Sequence, residues 1–260
     1  MSNPILDRPE VLRALFYPRR EHDLASYRPG VHRIATQVEQ GVNLGARLYP
    51  AGLESPTILY FHGNGEIAAD YDGLAPLYTR LGITLLVADY RGYGTSGGTP
   101  TASHLLSDAV ILFEQVGHIL EDHGLISSQI YAMGRSLGSA AAIEVAQHGE
   151  DRLAGLIIES GFADTFVLLR RLGWRVQDTR EEHGGFGNAA KLSRVRTRTL
   201  IIHGRDDELI PATEGHDLYQ SCGAADKRLV LIPGAGHNDL MIAGMSAYFD
   251  AIRAFVGAEA

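Results

Sequence analysis

Residues 129–144 run Gln129-Ile130-Tyr131-Ala132-Met133-Gly134-Arg135-Ser136-Leu137-Gly138-Ser139-Ala140-Ala141-Ala142-Ile143-Glu144. The first five read as a strand, and those from Leu137 onward read as a helix with a small-residue first turn. Between them, Gly134-Arg135-Ser136-Leu137-Gly138 has the form Gly-x-Ser-x-Gly, a sharp strand-to-helix turn that lifts a serine hydroxyl above a sheet. So tight a turn requires small residues, and the alanine-rich helix start supplies them. The motif occurs a second time as Gly94-Thr95-Ser96-Gly97-Gly98, but Thr99-Pro100-Thr101 follows and the chain continues as loop. Ser96 is therefore rejected as a nucleophile and Ser136 retained. The overlapping Gly92-Tyr93-Gly94-Thr95-Ser96-Gly97 matches the dinucleotide fingerprint. No helix opens within it, and no acidic residue ends a strand about 20 residues later, which argues against a nucleotide cofactor.

Outward from this turn, apolar runs of strand length alternate with longer helical stretches, the pattern of an α/β protein with a parallel sheet. Strands are expected over Thr57–Phe61, Ile83–Ala88, Gln129–Met133, Gly155–Ile158, Thr199–Ile202 and Arg228–Ile232. Crossover helices are expected over Ala68–Leu81, Ser103–His123, Leu137–Gln147, Pro211–Ser221 and Asp239–Val256, covering both faces. His32–Val38 and Asn43–Tyr49, joined by Glu39-Gln40-Gly41, read as an antiparallel hairpin that brings the sheet to eight strands. Glu10–Tyr17 reads as a short helix. Phe162–Arg198 breaks the alternation and reads as a small lid: a helical excursion carrying Phe166, Leu169, Leu172 and Trp174, then a polar return through Glu181-Glu182-His183-Gly184-Gly185.

A serine of ordinary pKa needs a base, usually a histidine oriented by a carboxylate. Among 11 histidines, His237 is best placed, in the glycine-flanked loop Gly234-Ala235-Gly236-His237-Asn238-Asp239 after the last strand. Asp206, Asp207 and Glu208 follow the strand Thr199–Ile202, and spacing alone does not choose among them. An oxyanion hole needs backbone N–H donors. The loop Phe61-His62-Gly63-Asn64-Gly65-Glu66 can aim the Asn64 amide, and the Leu137 amide follows the nucleophile directly.

Composition narrows the function classes. The chain has 260 residues, 45% of them apolar, and is read as a single domain over 1–260 with a possible lid at 162–198. Lys plus Arg number 23 against 31 Asp plus Glu, a net charge of −8 with no basic cluster, which opposes nucleic-acid binding. Cys222 is the single cysteine, so no internal disulfide can form. No long uncharged stretch reads as a membrane span or stable anchor, and a soluble cytoplasmic protein is expected. No metal constellation or cofactor motif is present in the sequence, so none is expected.

In combination these segments resemble the α/β-hydrolase superfamily from about His32 to Val256. The resemblance is carried by Gly134–Gly138, Phe61-His62-Gly63-Asn64-Gly65, Asp89-Tyr90-Arg91-Gly92-Tyr93-Gly94-Thr95-Ser96, His203-Gly204-Arg205-Asp206-Asp207-Glu208-Leu209-Ile210-Pro211 and Gly234–Asp239. They are similar to an intracellular serine-hydrolase subgroup that includes depalmitoylases and acyl-thioesterase-like enzymes. The resemblance places the acid three residues after the glycine of His203-Gly204, which selects Asp207, and it implies an α/β-hydrolase fold. The reading is a metal-independent serine hydrolase of small-molecule acyl esters or thioesters. Ser136, His237 and Asp207 are its catalytic residues, Asn64 and Leu137 its oxyanion donors, and Phe166 and Trp174 its candidate substrate contacts. Amide hydrolysis or acyl transfer would use the same triad. A non-catalytic binding protein on this fold is the alternative of a different class. A haloalkane dehalogenase would need aspartate at the turn, where this chain has Ser136.

Overall fold

Segments such as Thr57–Phe61 and Thr84–Ala88 contain no charged residue, and such strands are stable only with both faces covered. The computed structural model describes residues 3–22, 29–126, 129–174 and 181–257, and puts both segments inside an eight-stranded sheet. Its strands are β1 (His32–Glu39), β2 (Val42–Tyr49), β3 (Thr57–Phe61), β4 (Thr84–Ala88), β5 (Ile130–Arg135), β6 (Gly155–Glu159), β7 (Thr199–Gly204) and β8 (Lys227–Ile232). The spatial order is β1-β2-β4-β3-β5-β6-β7-β8. β2 pairs antiparallel with both β1 and β4, and every pairing from β4 to β8 is parallel. This is the expected α/β-hydrolase sheet with its antiparallel N-terminal hairpin. The hairpin is tighter than expected: Gln40 and Gly41 alone join the strands, with Gly41 at φ 77°.

The helices are α1 (Pro9–Leu15), α2 (Ala75–Thr79), α3 (Ala102–Asp122), α4 (Gly138–His148), α5 (Thr165–Arg171), α6 (Asn188–Leu192), α7 (Ala212–Ser221), α8 (Leu240–Ala243) and α9 (Met245–Val256). Alternation along the strands divides the core into two layers. Leu59, Phe61, Leu86, Ala132, Leu156 and Ile158 pack with α3, α4 and α7 on one face. Ile58, Tyr60, Leu85, Val87, Met133 and Ile157 pack with α2 and α9 on the other.

Two expected helices are broken. Ala68–Leu81 is a 3-10 turn over Ala68–Asp72 followed by α2, because Gly73 intervenes and Pro76 suits only a helix start. Asp239–Val256 divides into α8 and α9 at Gly244, where a Cβ would lie 2.3 Å from Ile232 Cγ2, so the chain crosses the end of β8 with no room for a side chain. Among the described residues of the 162–198 segment, read above as a lid, lie α5, a 3-10 turn at Glu181–His183 and α6.

Residues 3–22, for which the sequence suggested only a short helix, form a strap. Leu6, Val11, Leu15 and Phe16 are buried in the core beside α3. The Asn3 amide donates to Ser103 Oγ at 2.7 Å, fixing the strap to the start of α3. Beyond α1 the strap crosses the loop that follows β3: Tyr17 N–H donates to Asn64 Oδ1 at 2.7 Å, and Arg19 Nε donates to the Gly65 carbonyl at 3.0 Å.

Candidate active site

Parallel strands present their C-terminal ends on one edge, and there the loops after β3, β5, β7 and β8 converge. β5 ends at Arg135 and α4 starts at Gly138, leaving Ser136 and Leu137 to make the turn. Ser136 adopts φ 52°, a left-handed conformation that costs a non-glycine residue about 1–2 kcal/mol. The neighbours hold it there. Its N–H donates to the Glu159 carbonyl at 2.9 Å. A Cβ on Gly134 would come within 2.2 Å of the Gly138 carbonyl oxygen, and one on Gly138 within 2.1 Å of that of Phe61. The two motif glycines are therefore required by backbone contact.

The base loop after β8 and the acid loop after β7 complete a hydrogen-bonded chain. Ser136 Oγ lies 3.0 Å from His237 Nε2, and His237 Nδ1 lies 2.8 Å from Asp207 Oδ2. Asp207 Oδ1 accepts the backbone N–H groups of Leu209, at 3.0 Å, and Ile210, at 2.7 Å. Burial raises the affinity of Asp207 for a proton, but the His237 hydrogen bond and charge and the Ile210 amide outweigh it, holding the carboxyl below its ordinary pKa. Asp206 and Glu208 are exposed, so of the three consecutive acids only Asp207 meets His237. His203 is fully buried beneath them: its Nε2 donates to the Ile210 carbonyl at 2.8 Å and lies 3.6 Å from Asp207 Oδ2. Burial lowers its pKa, so it sits neutral against the acid loop.

The hydroxyl of the rejected serine, Ser96, is fully buried, accepting the Gly45 N–H at 2.8 Å and donating to the Asp89 carbonyl at 3.3 Å. It lies outside the converging loops.

Ser136 and His237 open into a cavity of about 300 Å³. Asn64 and Leu137 line it, and neither backbone N–H has a hydrogen-bond partner among the described residues. The Asn64 side chain faces away, Oδ1 accepting from Tyr17 N–H and from the Tyr93 hydroxyl at 2.8 Å. The apolar wall comes from Leu15, Leu168, Leu172 and Leu209.

Neither Phe166 nor Trp174, the expected substrate contacts, lines this cavity. Phe166 is buried in the core, and Trp174 packs against the same core cluster. The reason is helical phase: Leu168 of α5 and Leu172, which caps its C-terminal end four residues on, line the cavity, whereas Phe166 and Leu169 are turned about a third of a turn away into the core. Sequence reasoning also missed Leu15, for which no local signal exists. It missed Arg135 as well, although Arg135 sits inside the serine motif. Among the described residues no group of three or more His, Cys, Asp or Glu side chains could hold a metal ion, and no helix is long and apolar enough to cross a membrane.

Residues 54–170 and 188–241 match the family described as serine aminopeptidase, S33 (Hydrolase_4), which is most of the chain. The chain belongs to the Hydrolase_4 family. Two relatives agree with this α/β-hydrolase assignment. The chain is 31% identical over 208 residues to alpha/beta hydrolase domain-containing protein aho-3 of Caenorhabditis elegans, covering 78% of this chain and 58% of that protein. It is 31% identical over 210 residues to alpha/beta hydrolase domain-containing protein 17C of Xenopus tropicalis, covering 78% and 62%. The chain thus spans about three fifths of the length of these curated relatives. Among solved structures, the Pyrococcus furiosus esterase Pf2001 superposes with a TM-score of 0.74 at 17% identity, over 92% of this chain and 98% of that one. A soluble variant of monoglyceride lipase from Saccharomyces cerevisiae superposes with a TM-score of 0.67 at 17% identity, over 91% and 96%. At such identities the likeness is one of fold.

Proposed function

We propose that this hydrolase cleaves a small carboxylic ester or thioester through an acyl-enzyme on Ser136. The observation that carries the reading is the continuous chain from Asp207 through His237 to Ser136, opening into a cavity with Leu15, Leu168, Leu172 and Leu209 on its apolar side. The Asp207 carboxylate holds His237 with its proton on Nδ1, leaving Nε2 free to take the Ser136 proton as the oxygen attacks the acyl carbon. The Asn64 and Leu137 N–H groups receive the negative charge that forms on the carbonyl oxygen. One such donor contributes about 2.7–4 kcal/mol to the transition state. His237 then protonates the departing alcohol or thiol, and water repeats the sequence to release the acid. The leucine wall favours an aliphatic acyl group, held in place by burial of its methylenes.

The test is hydrolysis of p-nitrophenyl esters of graded chain length, beside acyl-CoA thioesters, by the wild type and by Ser136→Ala. Turnover of at least one series by the wild type and its loss in the variant is expected. A folded Ser136→Ala protein that keeps wild-type turnover would refute the reading.

A further inference from the structure

Arg135 precedes the nucleophile, is 9% exposed, and is absent from the chemistry just described. Its guanidinium is nevertheless in contact with two other loops of the site and with the end of β6. Nη2 donates to the His237 carbonyl at 2.8 Å and to Asn238 Oδ1 at 2.9 Å, on the loop of the base. Nη1 donates to the Glu66 carboxylate, whose other oxygen accepts the Gly63 N–H at 2.8 Å, one residue before Asn64. Nε lies 3.3 Å from Glu159 Oε1, and the Glu159 carbonyl accepts the Ser136 N–H.

The two carboxylates are themselves fixed. Glu66 accepts the Tyr71 hydroxyl at 2.9 Å. Glu159 is buried and accepts the hydroxyls of Tyr60, at 3.0 Å, and Tyr248, at 2.7 Å. Gly63 is glycine for the same reason: a Cβ there would stand 2.5 Å from Arg135 Nη1. Burial disfavours charge on Arg135, but Glu66 and Glu159 outweigh it, so the guanidinium stays ionised.

We infer that Arg135 is a positioning residue which sets the nucleophile, base and oxyanion loops in register through one guanidinium. Resting on the Ser136 assignment, this role requires the planar fork. The acceptors lie in separate directions that five fixed N–H donors reach and a lysine ammonium does not. Arg135 borders the cavity, but each of its three nitrogens is engaged by a protein acceptor, Glu66, Glu159, the His237 carbonyl or Asn238, rather than turned to substrate, so its loss acts on turnover more than on binding. A misplacement of catalytic groups by about 1 Å costs on the order of 100-fold in rate.

The experiment measures kcat and KM of wild type, Arg135→Lys and Arg135→Ala on the best p-nitrophenyl ester, with circular dichroism to establish folding. Both variants are expected to lose kcat, Arg135→Ala by about 100-fold, with KM within about threefold of wild type. Millimolar guanidinium is expected to restore Arg135→Ala by about tenfold or more, whereas equal methylammonium is not. Should Arg135→Ala fail to fold, Arg135→Lys decides by the same split of kcat from KM. Folded variants with wild-type kcat, or a loss confined to KM, overturn the inference. An inactive wild type would instead refute the hydrolase reading, so the two failures are distinguishable.

Discussion

Replacing Asp207 by asparagine separates the chemistry of the acid from its structural role. Oδ1 accepts two backbone N–H groups, from Leu209 and Ile210, and must remain an oxygen. The new amide therefore turns its NH2 toward His237 Nδ1, which lies 2.8 Å from Oδ2. Facing a donor, Nδ1 must become the acceptor, and the ring proton moves to Nε2, the atom 3.0 Å from Ser136 Oγ. A histidine in that tautomer cannot take the serine proton, and kcat is expected to fall about 10⁴-fold, or about 5 kcal/mol. Stability should fall only by the contribution of the ionised carboxylate, because the loop keeps both backbone hydrogen bonds. Asp207→Ala loses those acceptors as well and should unfold more easily, by about 1–3 kcal/mol for each donor left buried. Steady-state ester hydrolysis and urea denaturation of both variants, with Asp206→Asn as control, measure the two effects. A folded Asp207→Asn enzyme within tenfold of wild type, or an equal loss in Asp206→Asn, would refute the reasoning.

Leu172→Trp should shorten the accepted acyl chain, lowering kcat/KM for the longer p-nitrophenyl esters by about 1–3 kcal/mol while leaving acetate esters near wild type. A uniform loss across chain lengths would remove Leu172 from the acyl wall. Phe166→Ala should act on stability instead, costing about 3–5 kcal/mol for a buried aromatic with little change in chain-length preference, as read by thermal and urea unfolding. Acid should destabilise the fold through Asp207 and Glu66. Both carboxyls are held below their ordinary pKa, so the folded state resists protons that the unfolded chain accepts. Their contribution is complete above the unfolded values and is lost as pH falls through about 4 and below. Urea midpoints between pH 7 and pH 3 should fall less steeply in Asp207→Asn than in wild type.

The sheet was legible because β3 to β7 are short apolar runs closed by glycine or polar residues, and burial on both faces leaves little choice of structure for them. The turn at Ser136 was legible because its glycines answer local backbone contacts, at Gly134 and Gly138, that recur wherever a chain turns so tightly. Asp207 needed the family resemblance, since only tertiary structure turns it inward while Asp206 and Glu208 face solvent. The phase of α5 was misread because apolar residues surround it: Phe166 and Leu169 serve the core, Leu168 is buried in the core cluster and also lines the cavity, and Leu172 just past the helix lines the cavity. The break at Gly244 depends on Ile232. The roles of Leu15 and Arg135 depend on residues far away in sequence, the cavity around Ser136 for one and Glu66, Glu159 and His237 for the other. No local pattern records such contacts.

The central claim is that Ser136 is the nucleophile of a hydrolase, and the most direct measurement is covalent. Wild-type protein treated with a fluorophosphonate and analysed by intact mass and peptide mapping should carry a single adduct, on Ser136. Ser136→Ala should carry none, and Ser96→Ala should label as wild type does. An adduct at another residue, or labelling that persists in folded Ser136→Ala, would contradict the account.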